Sequence, residues 1–293
     1  VTLSLWPLHP TLAAEVSGVD LAYADAELAA DLAAANDRYS ILVFRDQKLD
    51  VESQVRFASM FGPLEKVQHR AKRGMVEEIT EISNVAPDGT PRGVDDDRRI
   101  ASITNELWHT DSSFKTVPAK YSMLYADAVP VGGHVTEFAD LRAAYDALDE
   151  EMKERIDDLV AEHSTMYSEA IIGYQPDHQS YDQTPVYQRV ARRLPSGRMS
   201  LYIASHAGKI VGWSVPDGRS LIYELIDHAT KPQFVYRHEW RANDLVWWDN
   251  RCTMHRARAN RQEMGDIRDM RRTTVSDVTS TLEQPRALAG SVG

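Results

Sequence analysis

Hydrophobic positions in the first sixty residues follow two spacings. After Asp25 comes an Ala-rich stretch with Leu28 and Leu32 four apart, which predicts a helix capped by Asp25 and running to about Tyr39. Ile41-Leu42-Val43-Phe44 is an unbroken apolar run between polar neighbours and predicts a buried strand. Asp50 starts a second helix holding Val51, Val55, Ala58 and Met60, stopped by Gly62-Pro63. Ahead of these, Val16-Ser17-Gly18-Val19-Asp20-Leu21 reads as a short strand and turn. Residues 65–106 are polar and read largely as a long loop, of the kind that serves as a lid or binding segment. Strand patterns return at 121–129 and 135–138, around Pro130-Val131-Gly132-Gly133. Asp140 and Asp149 are successive N-caps for helices reaching to about Glu162. Further strands fit 199–204, 234–240 and 245–248, and Asp217 caps a helix through about Ala229.

Strands therefore dominate the centre and the C-terminal half, with helices at the front and inserted between: a mainly β, α+β pattern. No βαβαβ alternation is visible, and Gly132-Gly133 lacks the third glycine and the helix start of a phosphate loop. Both observations argue against a doubly wound nucleotide-binding sheet. With no repeat and no linker, residues 1–280 read as a single domain, and 281–293 as a frayed, disordered tail.

Composition narrows the partners. The formal net charge is −11, from 33 basic and 44 acidic residues, which repels nucleic acid and acidic lipid. No run approaches the roughly 18 apolar residues of a membrane span, and no basic-then-apolar leader is visible. The single cysteine, Cys252, rules out an internal disulfide framework, suits a reducing cytoplasm and reads as a small buried hydrophobe. An anionic small-molecule substrate is compatible with this surface where arginines cluster locally, and a homo-oligomer stays open.

Candidate chemistry centres on Trp108-His109-Thr110-Asp111. On an extended strand, side chains two apart leave on one face, so His109 and Asp111 can supply two corners of a metal site. His255, after Asp249-Asn250-Arg251-Cys252-Thr253-Met254, offers the third. Two His and one carboxylate on one side of an ion is the arrangement of non-haem Fe(II) oxygenases. A lone His-x-Asp is weak evidence in a chain with ten His and 44 acidic residues, so its company decides. Past His255, Arg268, Met270, Arg272 and Thr274 alternate and share one strand face. Two inward arginines are costly unless each meets an anion, and the guanidinium fork suits carboxylates. A metal flanked by two carboxylate-bearing molecules would meet that need.

In this order, His-x-Asp, Thr after Gly-Gly, Trp-Asp-Asn-Arg before His, and Arg-x-Met-x-Arg-x-Thr, the sequence resembles the taurine dioxygenase and 2,4-dichlorophenoxyacetate dioxygenase family of Fe(II)- and 2-oxoglutarate-dependent oxygenases, from about Gly18 to about Val278. The resemblance implies a double-stranded β-helix, or jelly roll, with the cupin-like core of that fold. It implies His109, Asp111 and His255 as iron ligands and catalytic residues, and Arg268 and Thr136 as contacts of 2-oxoglutarate. Arg272 corresponds to the arginine for the substrate's anion, Asn105 to a substrate-contacting Asn, and His69 more weakly to a substrate-binding His. Fe(II), 2-oxoglutarate and O2 are the implied cofactor and co-substrates. The interval from His255 to Arg268 is longer than in the taurine enzymes.

The stretches 140–148 and 248–252 resemble the aryloxyalkanoate branch, which hydroxylates the carbon beside an ether oxygen and releases a phenol with glyoxylate or another 2-oxo acid. Taurine, alkylsulfonate and alkyl sulfate oxidation are the alternative within the same chemistry. A cupin-like metal-binding protein that does no oxidation and a zinc hydrolase are the readings from other classes. His9, His134, His163, His178, His206, His228 and His238 read as surface or supporting residues.

Overall fold

A computed structural model describes residues 3–67, 76–86, 88–93, 96–130, 133–174, 184–258 and 267–284. Its largest sheet has seven strands in the order Ser4–Pro7, Ala14–Ser17, Ile41–Phe44, Leu245–Asp249, Ala119–Ala128, Asp269–Ser276 and Thr80–Ser83. Neighbours are antiparallel except Ala14–Ser17 with Ile41–Phe44. A three-stranded sheet, Val235–Glu239, Val135–Asp140 and Thr253–Arg258, faces it. The chain thus returns repeatedly between two facing sheets, the jelly-roll arrangement that the resemblance implies.

The apolar run at 41–44 is unbroken because both faces of its strand are covered. Ile41 and Val43 meet Phe138 and Tyr236 of the small sheet, with Leu124, Val246, Trp248 and Met270. Leu42 and Phe44 point the other way, with Trp247, toward Leu32, Ala35, Phe57 and Ala58 of the helices Ala26–Tyr39 and Val51–Ser59. Fully burying one such aliphatic or aromatic side chain contributes about 1.5–3 kcal/mol. The outer face of the small sheet, through Ala139 and Met254, carries the helices Leu141–Asp146 and Val215–Ala229.

The predicted caps at the front of the chain hold. Asp25 accepts from the Leu28 N–H at 2.9 Å, Asp50 from Ser53 at 2.8 Å and Asp149 from Met152 at 2.8 Å. Three expectations change. Ser214 rather than Asp217 caps the helix Val215–Ala229, accepting from the Asp217 N–H while its hydroxyl donates to the Asp217 carboxylate, a reciprocal pair. The helix after Asp149 ends at Ile156, and Val160–His163 is a strand paired on both sides. Its inward residues are only Ala161 and His163, too weak an alternation to read. The polar stretch 65–106 contains the edge strand Thr80–Ser83 and the helices Asp97–Ser102 and Ile103–Glu106. At the C-terminus, Thr281 is fully buried in a short turn of helix and donates to Gln188, whereas 285–293 lie outside the described residues. Among the described residues no helix is long and apolar enough to cross a membrane.

Candidate metal centre and active site

The turn at 249–252, which carries the chain from the large sheet to the small one, holds itself by side chains. Asp249 accepts from Arg251 Nε at 2.9 Å and Nη2 at 2.7 Å, and its carbonyl accepts from Thr253 Oγ1 at 2.8 Å. Asn250 reaches outward from this turn: its Oδ1 accepts from the Trp248 indole at 3.0 Å and from the Asp111 N–H at 3.2 Å. Its amide donates to Ser122 Oγ at 2.9 Å. Thr110 adds a bond from its hydroxyl to the Thr253 carbonyl at 2.7 Å. These contacts bring the segment at 109–111 against the strand Thr253–Arg258.

His109 is not inside a regular strand, as the two-residue spacing suggested. It forms an isolated antiparallel bridge with His255, and Asp111 opens the turn that follows. The outcome for the side chains is the same. His109, Asp111 and His255 are buried, and each offers one ligand atom within 4.8 Å of the others. The two imidazole centroids are 4.1 Å apart, and His255 Nε2 stands 3.9 Å from Asp111 Oδ2.

Protonation states suit a metal. His109 Nδ1 lies 2.8 Å from the Leu107 carbonyl, so Nδ1–H donates and Nε2 keeps its lone pair. Burial lowers the affinity of both imidazoles for a proton, most strongly at His255, and a neutral imidazole is the ligating form. Burial is the largest single influence on Asp111 and opposes its ionisation, but Arg272, His255, His109 and the Ser122 hydroxyl together outweigh it and hold the carboxyl well below the usual carboxylate range. Ser122 Oγ donates to Asp111 Oδ2 at 2.6 Å, and Arg272 Nη1 donates to Asp111 Oδ1. Two neutral imidazoles and one ionised carboxylate on one side of a cavity fit a divalent iron with its other positions facing that cavity.

A cavity opens beside the triad, and Thr136, Asn105, Arg268 and Arg272 line it together with His109 and His255. The register of the strand Asp269–Ser276 turns Arg268, Met270 and Arg272 into it, as their alternation predicts. Arg271 goes to the opposite face and is buried against Gln54 at 2.8 Å, with Asp127 and the Leu49 carbonyl. Ile82, Leu124, Trp248 and Met270 form the apolar wall. His69 lies outside the described residues.

Three further residues of the site had no specific role in the sequence reading: Ser122 is absent from it, Asn250 enters only with the turn that presents His255, and His134 only among the surface or supporting histidines. Ser122 and Asn250 sit behind Asp111, and His134 is buried in the cavity wall with Nε2 3.2 Å from Arg268 Nη1. The signal available for His134 was its place two residues before Thr136 on an extended segment. Cys252 is buried, as expected, and burial pushes its thiol up to about 12.

Comparison with known proteins agrees with this geometry. The family model for the taurine catabolism dioxygenase TauD, TfdA family matches residues 5–274. The alpha-ketoglutarate-dependent 2,4-dichlorophenoxyacetate dioxygenase of Cupriavidus pinatubonensis is 42% identical over 280 residues, covering 92% of this chain and 96% of that protein. The (S)-phenoxypropionate/alpha-ketoglutarate-dioxygenase of Sphingobium herbicidovorans is 40% identical over 262 residues, 86% of this chain and 88% of the relative. The crystal structure of AAD-2 in complex with Mn(II) and N-oxalylglycine superposes with a TM-score of 0.89 at 44% identity, covering 97% of this chain and all of that one. A family match over nearly the whole chain, around a buried His-Asp-His triad, makes this protein a member of the TauD/TfdA family of Fe(II)- and 2-oxoglutarate-dependent dioxygenases.

Proposed function

We propose that the protein hydroxylates the carbon beside the ether oxygen of an aryloxyalkanoate, a phenoxyacetate or phenoxypropionate, so that the hemiacetal collapses to a phenol and a 2-oxo acid. The observation that carries this reading is the metal triad opening into a cavity with one apolar wall and two arginines, in a chain whose relatives act on such acids. Bound Fe(II), 2-oxoglutarate and O2 supply the oxidising chemistry, with succinate and CO2 as the co-products.

The chain's own residues provide placement. Arg268 pairs with the far carboxylate of 2-oxoglutarate through its fork. Thr136 Oγ1 already accepts from the Trp240 indole at 2.9 Å, which directs its hydroxyl proton toward the carboxylate. Arg272 has one nitrogen on Asp111, and its buried Nε has no partner among the described residues. It therefore has donors left for the substrate's carboxylate. An anion held there, with the aryl ring along Leu124, Trp248 and Met270, turns the ether-bearing carbon toward the metal. Asn105, which lines the same cavity, contacts the substrate, and His69 is assigned to substrate binding from its place in the sequence alone. We assign the catalytic domain to residues 1–280 and the protein to the cytoplasm, acting on a small organic anion and on neither nucleic acid nor membrane.

A succinate-release assay with Fe(II), 2-oxoglutarate and a panel of phenoxyacetates, phenoxypropionates, taurine and alkyl sulfates tests this. Stimulation by the aryloxy acids is expected. Stimulation by taurine or a sulfate ester alone would replace the substrate and keep the mechanism. Succinate release that needs neither O2 nor 2-oxoglutarate is impossible, so product formation without them would point to a hydrolase.

A further inference from the structure

His134 has no part in the roles above, yet it is buried in the wall that would face the co-substrate. We propose that His134 is a positioning residue: its uncharged imidazole accepts an N–H of Arg268 and fixes the plane in which that guanidinium meets the far carboxylate of a 2-oxo dicarboxylic acid. This rests on the assignment of Arg268 to the co-substrate.

The geometry places His134 for this task. Its Nε2 is 3.2 Å from Arg268 Nη1, and because a guanidinium only donates, the imidazole must be the acceptor there, with its proton on Nδ1. The Arg268 main chain is anchored separately: its N–H donates to Asn84 Oδ1 at 2.8 Å and its carbonyl accepts from the Asn84 N–H at 3.1 Å. His134 and Thr136 stand two apart on one extended segment and line the same cavity. Trp240 ties them together, its N–H donating to the His134 carbonyl at 3.0 Å and its indole to Thr136. One rigid segment thus presents both a hydroxyl for the co-substrate and a brace for the arginine.

The chemical type of the brace matters. Burial and the neighbouring Arg268 push the His134 imidazole down to about 3, so it is neutral throughout the physiological range. A carboxylate in its place would hold the guanidinium equally well but offset the charge that an incoming dicarboxylate needs. A lysine would repel it. A neutral acceptor orients the fork without weakening its field.

The test is calorimetric binding to the Mn(II)-loaded protein under anaerobic conditions, with 2-oxoglutarate and with 2-oxobutyrate, which lacks the far carboxylate. His134→Ala is expected to raise the Kd of 2-oxoglutarate about tenfold, the scale of one hydrogen bond to a charged group, and to leave that of 2-oxobutyrate within about twofold. His134→Gln, a neutral acceptor, should restore most of the loss, and His134→Glu should not. In an Arg268→Gln background, His134→Ala should add nothing, since its effect passes through the arginine. Equal weakening of both ligands, or an undiminished effect without Arg268, overturns the proposal and leaves the co-substrate assignment intact. Unchanged 2-oxoglutarate affinity in Arg268→Gln alone overturns that assignment and this proposal with it.

Discussion

The main chains of His109 and His255 exchange two hydrogen bonds, each N–H to the other's carbonyl, at 3.0 and 2.8 Å. Two metal ligands far apart in sequence are therefore locked by backbone rather than by the ion. Asp111 joins them through its own N–H on Asn250 and its carboxylate on Ser122 and Arg272. The fold's own backbone and side-chain contacts thus hold the three ligands together.

That arrangement gives Ser122 a measurable part. Its hydroxyl orients the Asp111 carboxylate, and removal of such an outer hydrogen bond typically costs 10–100-fold in metal affinity. Ser122→Ala should weaken Mn(II) binding by about tenfold in a calorimetric titration. Unaltered affinity would mean that Arg272 alone orients the carboxylate.

Arg272 serves both Asp111 and, in the proposed function, the substrate. Lysine keeps the charge but loses the planar fork. Arg272→Lys should therefore raise the KM for a phenoxyacetate about tenfold or more while the KM for 2-oxoglutarate stays within about twofold. Arg268→Lys should do the reverse. Steady-state kinetics with each substrate varied in turn decide, and an inverted pattern would mean that the two arginines have exchanged roles.

Two phenylalanines separate stability from function. Phe57 packs edge-on against Trp247 on the helix side of the large sheet, at 6.1 Å between centroids. Phe138 lies between the sheets, nearly parallel to the His255 ring at 5.8 Å. Both are fully buried, and truncation of either should cost about 3–5 kcal/mol in urea unfolding. Only Phe138→Ala should also weaken metal binding, because it frees the His255 ring. A loss of metal affinity in folded Phe57→Ala would show that the two faces of the sheet are coupled.

Acid should destabilise the protein through its buried imidazoles. His163 is fully buried with neither ring nitrogen hydrogen-bonded among the described residues, and burial pushes it down to about 3. An unfolded chain protonates this group near pH 6.5, whereas the folded chain resists until far lower. Its contribution is thus complete above pH 6.5 and is lost progressively as pH falls toward 3, by about 2 kcal/mol at pH 5. His163→Phe, which keeps a ring beside Tyr202, should lose that much less stability between pH 7 and pH 5 than the unaltered protein. Parallel pH profiles of urea unfolding for the two would contradict the burial argument.

Much of the site could be read from the residues because its chemistry accepts few substitutes. Only His and carboxylates make the triad, and an alternating Arg268, Met270 and Arg272 has one economical explanation in a strand. Helix starts at Asp25, Asp50 and Asp149 were legible because a cap acts on its own next turn. His134 was not, since what gives it meaning is Arg268, brought to it only by the return of the sheet. The edge strand Thr80–Ser83 was missed because only Ile82 is apolar within it, so the pairing with 269–272 is a tertiary fact. The same holds for Ser214, whose hydroxyl competes with the more conspicuous Asp217 for one helix start.

The most direct measurement is anomalous diffraction from crystals grown with Mn(II). One strong peak at coordination distance from His109 Nε2, an Asp111 carboxylate oxygen and His255 Nε2 is the predicted result. Density that engages other side chains, or leaves any one of these three outside the coordination sphere, would contradict the account.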